Sequence, residues 1–241
     1  MSVVVPAILP ISREDLEEKL SRLSGLVSSV QIDSVDGHFA SPASWPYTGG
    51  GAAELAEFAD HGERLSHGGE FKLEIDLMTE DPARAAGTWL AAGASRLVVH
   101  ADPARPLDAV FRNLEHVYGH DKDFSSGLLE LGIGITPKTD LALIEPYLPH
   151  ADFVQFMGID TIGRQGQPFE PAVLQKIRMF RRRHPDMPVQ VDGGVSKATA
   201  PALLSAGVSR LIVGSDLWGA GDLARELREL EELAGQYGIY E

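Results

Sequence analysis

Eight short apolar runs recur along the chain, each followed by a segment with the spacing of an amphipathic helix. The runs are VVVPAIL, LVSSVQID, FKLEIDLM, RLVVHA, LLELGIGI, ADFVQFM, PVQVD and SRLIVG. The helix-like stretches cover residues 12–24, which open on S-R-E-D, and 52–66, 81–92, 105–118, 139–147, 171–183, 197–206 and 221–237. Several begin with a capping residue or an acidic first turn, and several end near glycine, as AAG does at Gly93 and SAG at Gly207. This alternation is that of parallel strands joined by crossover helices. Eight such units match a single (β/α)8 TIM barrel, with residues 1–241 as one domain. No linker rich in Pro, Gly or Ser divides the chain. The tract SPASWPYTGGGAAE, 41–54, follows the second strand, where a barrel places an active-site loop. The last stretch, LARELRELEELAGQY, reads as a solvated helix with one apolar stripe.

Composition narrows the function. With 241 residues and 44% hydrophobic content, the chain can bury a sizeable core. No apolar run reaches the roughly 18 to 20 residues of a bilayer span, and the net charge of -14 argues against an anionic-membrane partner. The N-terminus lacks the basic start and cleavage site of a signal peptide, and the expected location is cytoplasmic. The absence of cysteine rules out disulfides and thiolate chemistry. A net charge of -14 argues against a nucleic-acid partner, because phosphate backbones are gripped by clustered Lys and Arg. A small anionic substrate stays compatible, since backbone N–H groups can hold a phosphate in an acidic protein.

Chemistry in such barrels collects where strands end, and there this chain is polar. In VQIDSVDGHFA, 30–40, Gln31 and Asp33 are two apart and share a face. Asp76, His100, Met157 and Asp192 end the third, fourth, sixth and seventh strands. Two carboxylates converging from different strands can divide proton removal and proton return between them. Taken singly, each of these residues is better read as a satisfied structural carboxylate or N-cap. DGGVSKAT and VGSDLWGAGD follow the seventh and eighth strands, the usual place of a phosphate cradle, and supply Gly193, Gly194, Gly214 and Ser215. MGIDTIGRQGQPF forms a further glycine loop, with Gly163 and Gly166, that could act as a lid. Its Arg164 is either an anion contact or an ordinary exposed arginine.

These motifs together resemble the ribulose-phosphate 3-epimerase family. The likeness runs through AIL, DSVDGHF, DLMTEDP, the GA-x-x-L-x-x-H run, ADFVQFM, VDGGV and AGVSRLIVGSDLW. It implies a metal-assisted barrel that inverts C3 of a pentulose 5-phosphate, with a small phosphorylated sugar as partner, and it suggests a homo-oligomer. Asp33 and Asp192 correspond to the acid-base pair. Gly193, Gly194, Gly214 and Ser215 correspond to phosphate contacts, and Met78 and Met157 to pocket methionines. The family's metal is held by His-x-Asp on strand two, a His on strand three and the strand-seven Asp. Here those histidines are Gln31 and Asp76, an early pocket serine is Ala7, and the lid is one residue longer. His38 and His100 match family histidines that are not ligands. If a divalent ion (Mn, Mg, Zn or Fe) binds, its ligands are expected to be Gln31, Asp33, Asp76 and Asp192. Two other readings remain: a phosphosugar-binding barrel without turnover, or a barrel with changed chemistry such as a lyase or another isomerase.

Overall fold

The computed structural model describes residues 3–61, 65, 69–101, 107–119 and 129–237. Its strands are β1 (Val4–Ile8), β2 (Ser29–Val35), β3 (Lys72–Met78), β4 (Arg96–His100), β5 (Glu130–Ile135), β6 (Phe153–Met157), β7 (Val189–Asp192) and β8 (Arg210–Val213). They pair in parallel in chain order, and β8 closes on β1. The α-helices are α1 (Arg13–Leu23), α2 (Gly51–His61), α3 (Pro82–Ala91), α4 (Asp108–Tyr118), α5 (Ala172–Arg183), α6 (Ala200–Ser205), α7 (Ser215–Trp218) and α8 (Leu223–Gly235). The TIM barrel expected from the periodicity is therefore present. Among the described residues no helix is long and apolar enough to cross a membrane.

Local chemistry explains where the helices start. Ser12, Asp81 and Asp222 each accept a hydrogen bond from a backbone N–H in the first turn of α1, α3 and α8, satisfying donors that a helix cannot pair internally. The helix expected over 139–147 is not α-helical. Two 3-10 segments, Leu141–Leu143 and Glu145–His150, stand in its place. Pro146 and Pro149 lack the N–H that an α-helical ladder needs, and apolar spacing does not register that loss. Residues 62–64 and 66 of the second expected helix, 105–106 of the fourth and 128 of the fifth expected strand lie outside the described residues. The short α7 after β8 was not anticipated.

The strands are buried on both faces, and the two faces differ in chemistry. Ile32, Ile75, Leu97, Ile133, Val154, Val191 and Leu211 point outward and join the helices in one continuous apolar core. The alternate residues fill the barrel axis, and most of them are polar: Gln31, Asp33, Glu74, Asp76, Arg96, His100, Gln155, Gln190, Asp192 and Arg210, all buried. A small apolar cluster, Val5, Ala7 and Ile212, completes the lining.

The lower layer of this axis is a hydrogen-bonded plug. Glu74 accepts from Arg96 Nε at 2.6 Å and from Arg210 Nη1 at 2.7 Å. Gln190 Nε2 donates to Glu74 Oε1 at 2.7 Å and to Gln155 Oε1 at 2.6 Å, and its own Oε1 accepts from Arg210 at 2.8 Å. Arg96 also pairs with Glu130, and its guanidinium lies 4.1 Å from the centroid of the Phe153 ring. Burial alone would raise the Glu74 pKa, but the two guanidinium groups override it and hold the carboxyl down at about 2. The plug forms the floor of the polar layer above it.

Candidate active site

That upper layer gathers the polar strand ends. Strand registers set Asp33 beside Asp76 and Met157 beside Asp192. Asp33, Asp76 and Asp192 each offer a carboxylate oxygen, and these oxygens all lie within 4.8 Å of one another. Gln31 sits among them. Its Nε2 donates to Asp33 Oδ1 at 3.1 Å and to Asp192 Oδ2 at 3.0 Å. Asp76 is held from two other strands: His100 Nε2 lies 2.6 Å from Oδ1, and Gln155 Nε2 donates to Oδ2 at 3.0 Å. Gly134 makes the room for His100, because a β-carbon there would come within 2.8 Å of the imidazole.

Three carboxylates in so small a space cannot all carry charge. Burial pushes the Asp33 pKa well up, and the neighbouring Asp192 and Asp76 push it further. Asp192 is raised to about 7 by burial and by the charge of Asp76. Crowding and burial thus favour the protonated form at both Asp33 and Asp192, the condition under which one member of such a pair can serve as acid and the other as base. His100 moves the opposite way from a simple buried imidazole: burial disfavours its charge, but Asp76 overrides this and raises its pKa.

Above the carboxylates a cavity opens at the C-terminal mouth of the barrel. Asp33, Asp192, Met78 and Met157 line it, with Gly163, Gly166, Gly193, Gly194, Gly214 and Ser215. Ala7, Gln31 and Asp76 lie outside that lining. His100 faces a separate hollow with Phe39 and Thr79. His38 is exposed in the β2 loop, where Asp36 Oδ1 accepts from the backbone N–H groups of His38 and Phe39. Asp36 is thus a turn-forming residue, and a structural role accounts for it.

The β6 loop lies over the mouth. Arg164 lines the cavity, but its Nε donates to the Ser41 carbonyl at 2.9 Å. Gln165 reaches across: its Nε2 donates to the Ala7 carbonyl at 3.3 Å, and it lies against Gly214. Trp218 Nε1 donates to the same Ala7 carbonyl at 2.7 Å. The sequence reading did not single out Gln155, Gln165, Gln190 or Trp218. For Gln155 and Gln190 a signal existed, since each lies two residues before a strand-end residue already selected, Met157 and Asp192, and so shares its face.

A parallel eight-stranded barrel with paired carboxylates and glycine loops at its C-terminal mouth defines a (β/α)8 TIM-barrel protein with its candidate site at the usual end. The Ribulose-phosphate 3 epimerase family model matches residues 3–218, so the chain belongs to that family. A relative from Bacillus subtilis (strain 168), named ribulose-phosphate 3-epimerase, is 28% identical over 236 residues, covering 95% of this chain and 98% of its own. Among solved structures, 3-hexulose-6-phosphate synthase from Salmonella typhimurium superposes with a TM-score of 0.64 at 16% identity, covering 98% of this chain and 100% of its own. The 3-keto-L-gulonate-6-phosphate decarboxylase of Vibrio cholerae gives 0.65 at 15% identity, covering 98% of each chain. At such identities the structural likenesses establish the fold.

Proposed function

We propose that the protein is an epimerase acting on a ketose phosphate, with Asp33 and Asp192 exchanging protons at C3. The observation that carries this reading is the pair itself: two buried carboxylates from β2 and β7, with oxygens within 4.8 Å of each other beneath a glycine-lined mouth. The ionised aspartate takes the C3 proton, the C3–H electron pair forms the C2=C3 double bond, and the π pair of the C2 carbonyl moves onto its oxygen to give an enediolate. The protonated aspartate then returns a proton to C3 on the other face. The roles are exchanged after each turnover. Gly193, Gly194, Gly214 and Ser215 would hold the phosphate, with Gly163 and Gly166 of the loop above it. Met78 and Met157 pack against the carbon chain. Family membership supports a phosphorylated sugar as ligand, and so do the sugar phosphates in the names of the two structural neighbours.

The family's resemblance also implies a divalent ion. Asp33, Asp76 and Asp192 are compatible with one in number and spacing, and an oxygen-only set suits Mn or Mg better than Zn or Fe. Bound there, such an ion supplies positive charge beside the enediolate oxygens. Gln31 does not fit as a fourth ligand in the orientation it holds: its Nε2–H groups, not Oε1, face the carboxylates.

The test is wash-in of solvent deuterium. Ribulose 5-phosphate and hexulose phosphates are incubated in D2O with Mn2+, Mg2+ or Zn2+, and C3 is followed by NMR. Deuterium at C3 together with the epimer is the expected result. Absence of exchange with every sugar and ion overturns the enzymatic reading. It would favour a phosphosugar binder without turnover, a reading that the Gln165 side chain spanning the cavity also suits.

The cradle makes its own prediction. Gly194 has φ +65°, and a β-carbon there would come within 2.7 Å of the Phe169 backbone. Gly194→Ala therefore incurs about 1–2 kcal/mol of left-handed strain besides a clash, and is expected to weaken ribulose 5-phosphate binding by about tenfold or more. Calorimetric titration checks it. Unchanged affinity would remove the β7 loop from the phosphate site.

A further inference from the structure

We propose that Gln31 is a positioning residue that ties the acid-base pair together through one amide nitrogen, so that Asp33 and Asp192 keep their places without a cation between them. This rests on the epimerase reading above and adds to it a specific role for a residue at a position where the family pattern has a metal ligand.

The geometry is unusual in its economy. Gln31 is fully buried on β2, and one NH2 group serves both carboxylates, at 3.1 Å and 3.0 Å, the second of them 161 positions away in sequence. Each of its two N–H bonds has an acceptor, so its donor capacity is filled. The rest of the pattern agrees: Asp76 receives one donor from His100 and another from Gln155. Every carboxylate of the trio is thus held by side-chain donors belonging to the chain. Donors to an ionised carboxylate lower the energy of its charged form, which is one of the services a cation performs for a crowded pair.

A competing arrangement can be stated for the same residue. Gln31 Oε1 is buried without a hydrogen-bond partner. Turning the amide around would aim that oxygen at both carboxylates and create the oxygen-only set that a hard cation takes. It would also take the amide donor away from both carboxylates, a loss that a bound cation would make good. The donor orientation needs no such help, and the two arrangements predict opposite responses to chelation.

The experiment uses the full chain and two near-isosteric variants: Gln31→Glu, which replaces the donors with acceptors, and Gln31→Met, which removes the polar head. C3 deuterium exchange of ribulose 5-phosphate and melting temperature are measured with excess EDTA and with added Mn2+. The wild type is expected to keep its turnover under EDTA. Gln31→Glu is expected to lose about 100-fold in kcat there, the scale of a misplaced catalytic group. Its KM, set largely by the phosphate cradle, should move less than about threefold. It should melt lower than wild type in EDTA and recover with Mn2+, because four carboxylates then face an ion. Gln31→Met is expected to lose kcat in both conditions without that recovery, which separates a lost tether from a lost fold.

Wild-type turnover that vanishes in EDTA and returns with Mn2+ overturns the proposal in favour of the turned amide. Variants with wild-type kcat overturn it as well. If the wild type turns over no ketose phosphate, the epimerase reading fails, and the melting curves still decide the tether: Gln31→Glu melting like wild type in EDTA sinks it.

Discussion

Replacing Asp33 or Asp192 by asparagine is expected to cut C3 epimerisation by at least about 10³-fold, because each supplies one half of a two-sided proton transfer. The two variants should fail alike in epimer formation. Each can still permit slow exchange on the face served by the surviving carboxylate, a distinction that NMR of the recovered substrate in D2O resolves. The same substitutions should leave the protein more stable at alkaline pH. A carboxyl whose folded pKa is raised binds its proton more tightly in the native state, so its contribution is full below the unfolded value near 3.8. It is lost as pH rises through the folded value, about 7 for Asp192. Above that, the native state must keep a crowded, buried charge. Asp192→Asn removes that penalty, and in EDTA at pH 8 the gain is on the order of 2–4 kcal/mol. Chemical denaturation at pH 5 and pH 8 checks the sign: the difference between wild type and variant should widen with pH. A variant less stable at pH 8 than at pH 5, relative to wild type, would show that the carboxylate is not strained.

The second large effect lies one layer down. Glu74→Gln is expected to cost about 3–5 kcal/mol, the range seen when one partner of a buried ion pair is removed. Glu74 Oε2 is the acceptor shared by Arg96 and Arg210, and Oε1 accepts from Gln190 Nε2, so a neutral amide loses the charge that faces the guanidinium groups and turns an NH2 group towards one of these donors. For a chain of this size that corresponds to a fall in melting temperature of about 10 °C, measurable by calorimetry. The pH signature has the opposite sign from that of Asp192. Glu74 is depressed to about 2, so its contribution is present above the unfolded value of 4.5 and is lost as pH falls towards 2. The variant should lack this acid-labile component. A melting temperature within about 2 °C of wild type would mean that the arginines find other acceptors.

Much of this was legible in advance. The strand runs stood out because a parallel barrel buries both faces of each strand, and the glycine loops stood out because they follow the last three strands in the right order. Asp33, Asp192, Met78 and Met157 line one cavity; the strand-end pattern selects all of these but Met78, which the family resemblance alone supplies. The lower plug was not foreseen. Glu74, Gln155 and Gln190 lie two residues before Asp76, Met157 and Asp192 and share their faces, a signal that attention to C-terminal strand ends alone passes over, while Arg210 opens β8 at the opposite end of its strand. The roles of Gln31 and Gln165 depend on side-chain direction across strands far apart in sequence, which no local pattern carries. The 3-10 segments after β5 were missed because apolar spacing was weighed above Pro146 and Pro149.

The polar axis also constrains how this interior can change. From Glu130 through Arg96, Glu74, Gln190 and Gln155 to Asp76 and His100, each side chain is the partner of the next. A single replacement by a hydrocarbon strands its neighbour in a dry place, so routes towards a greasier barrel must pass through simultaneous paired exchanges. Single substitutions are therefore expected to cost more in the axis than on the helices and loops.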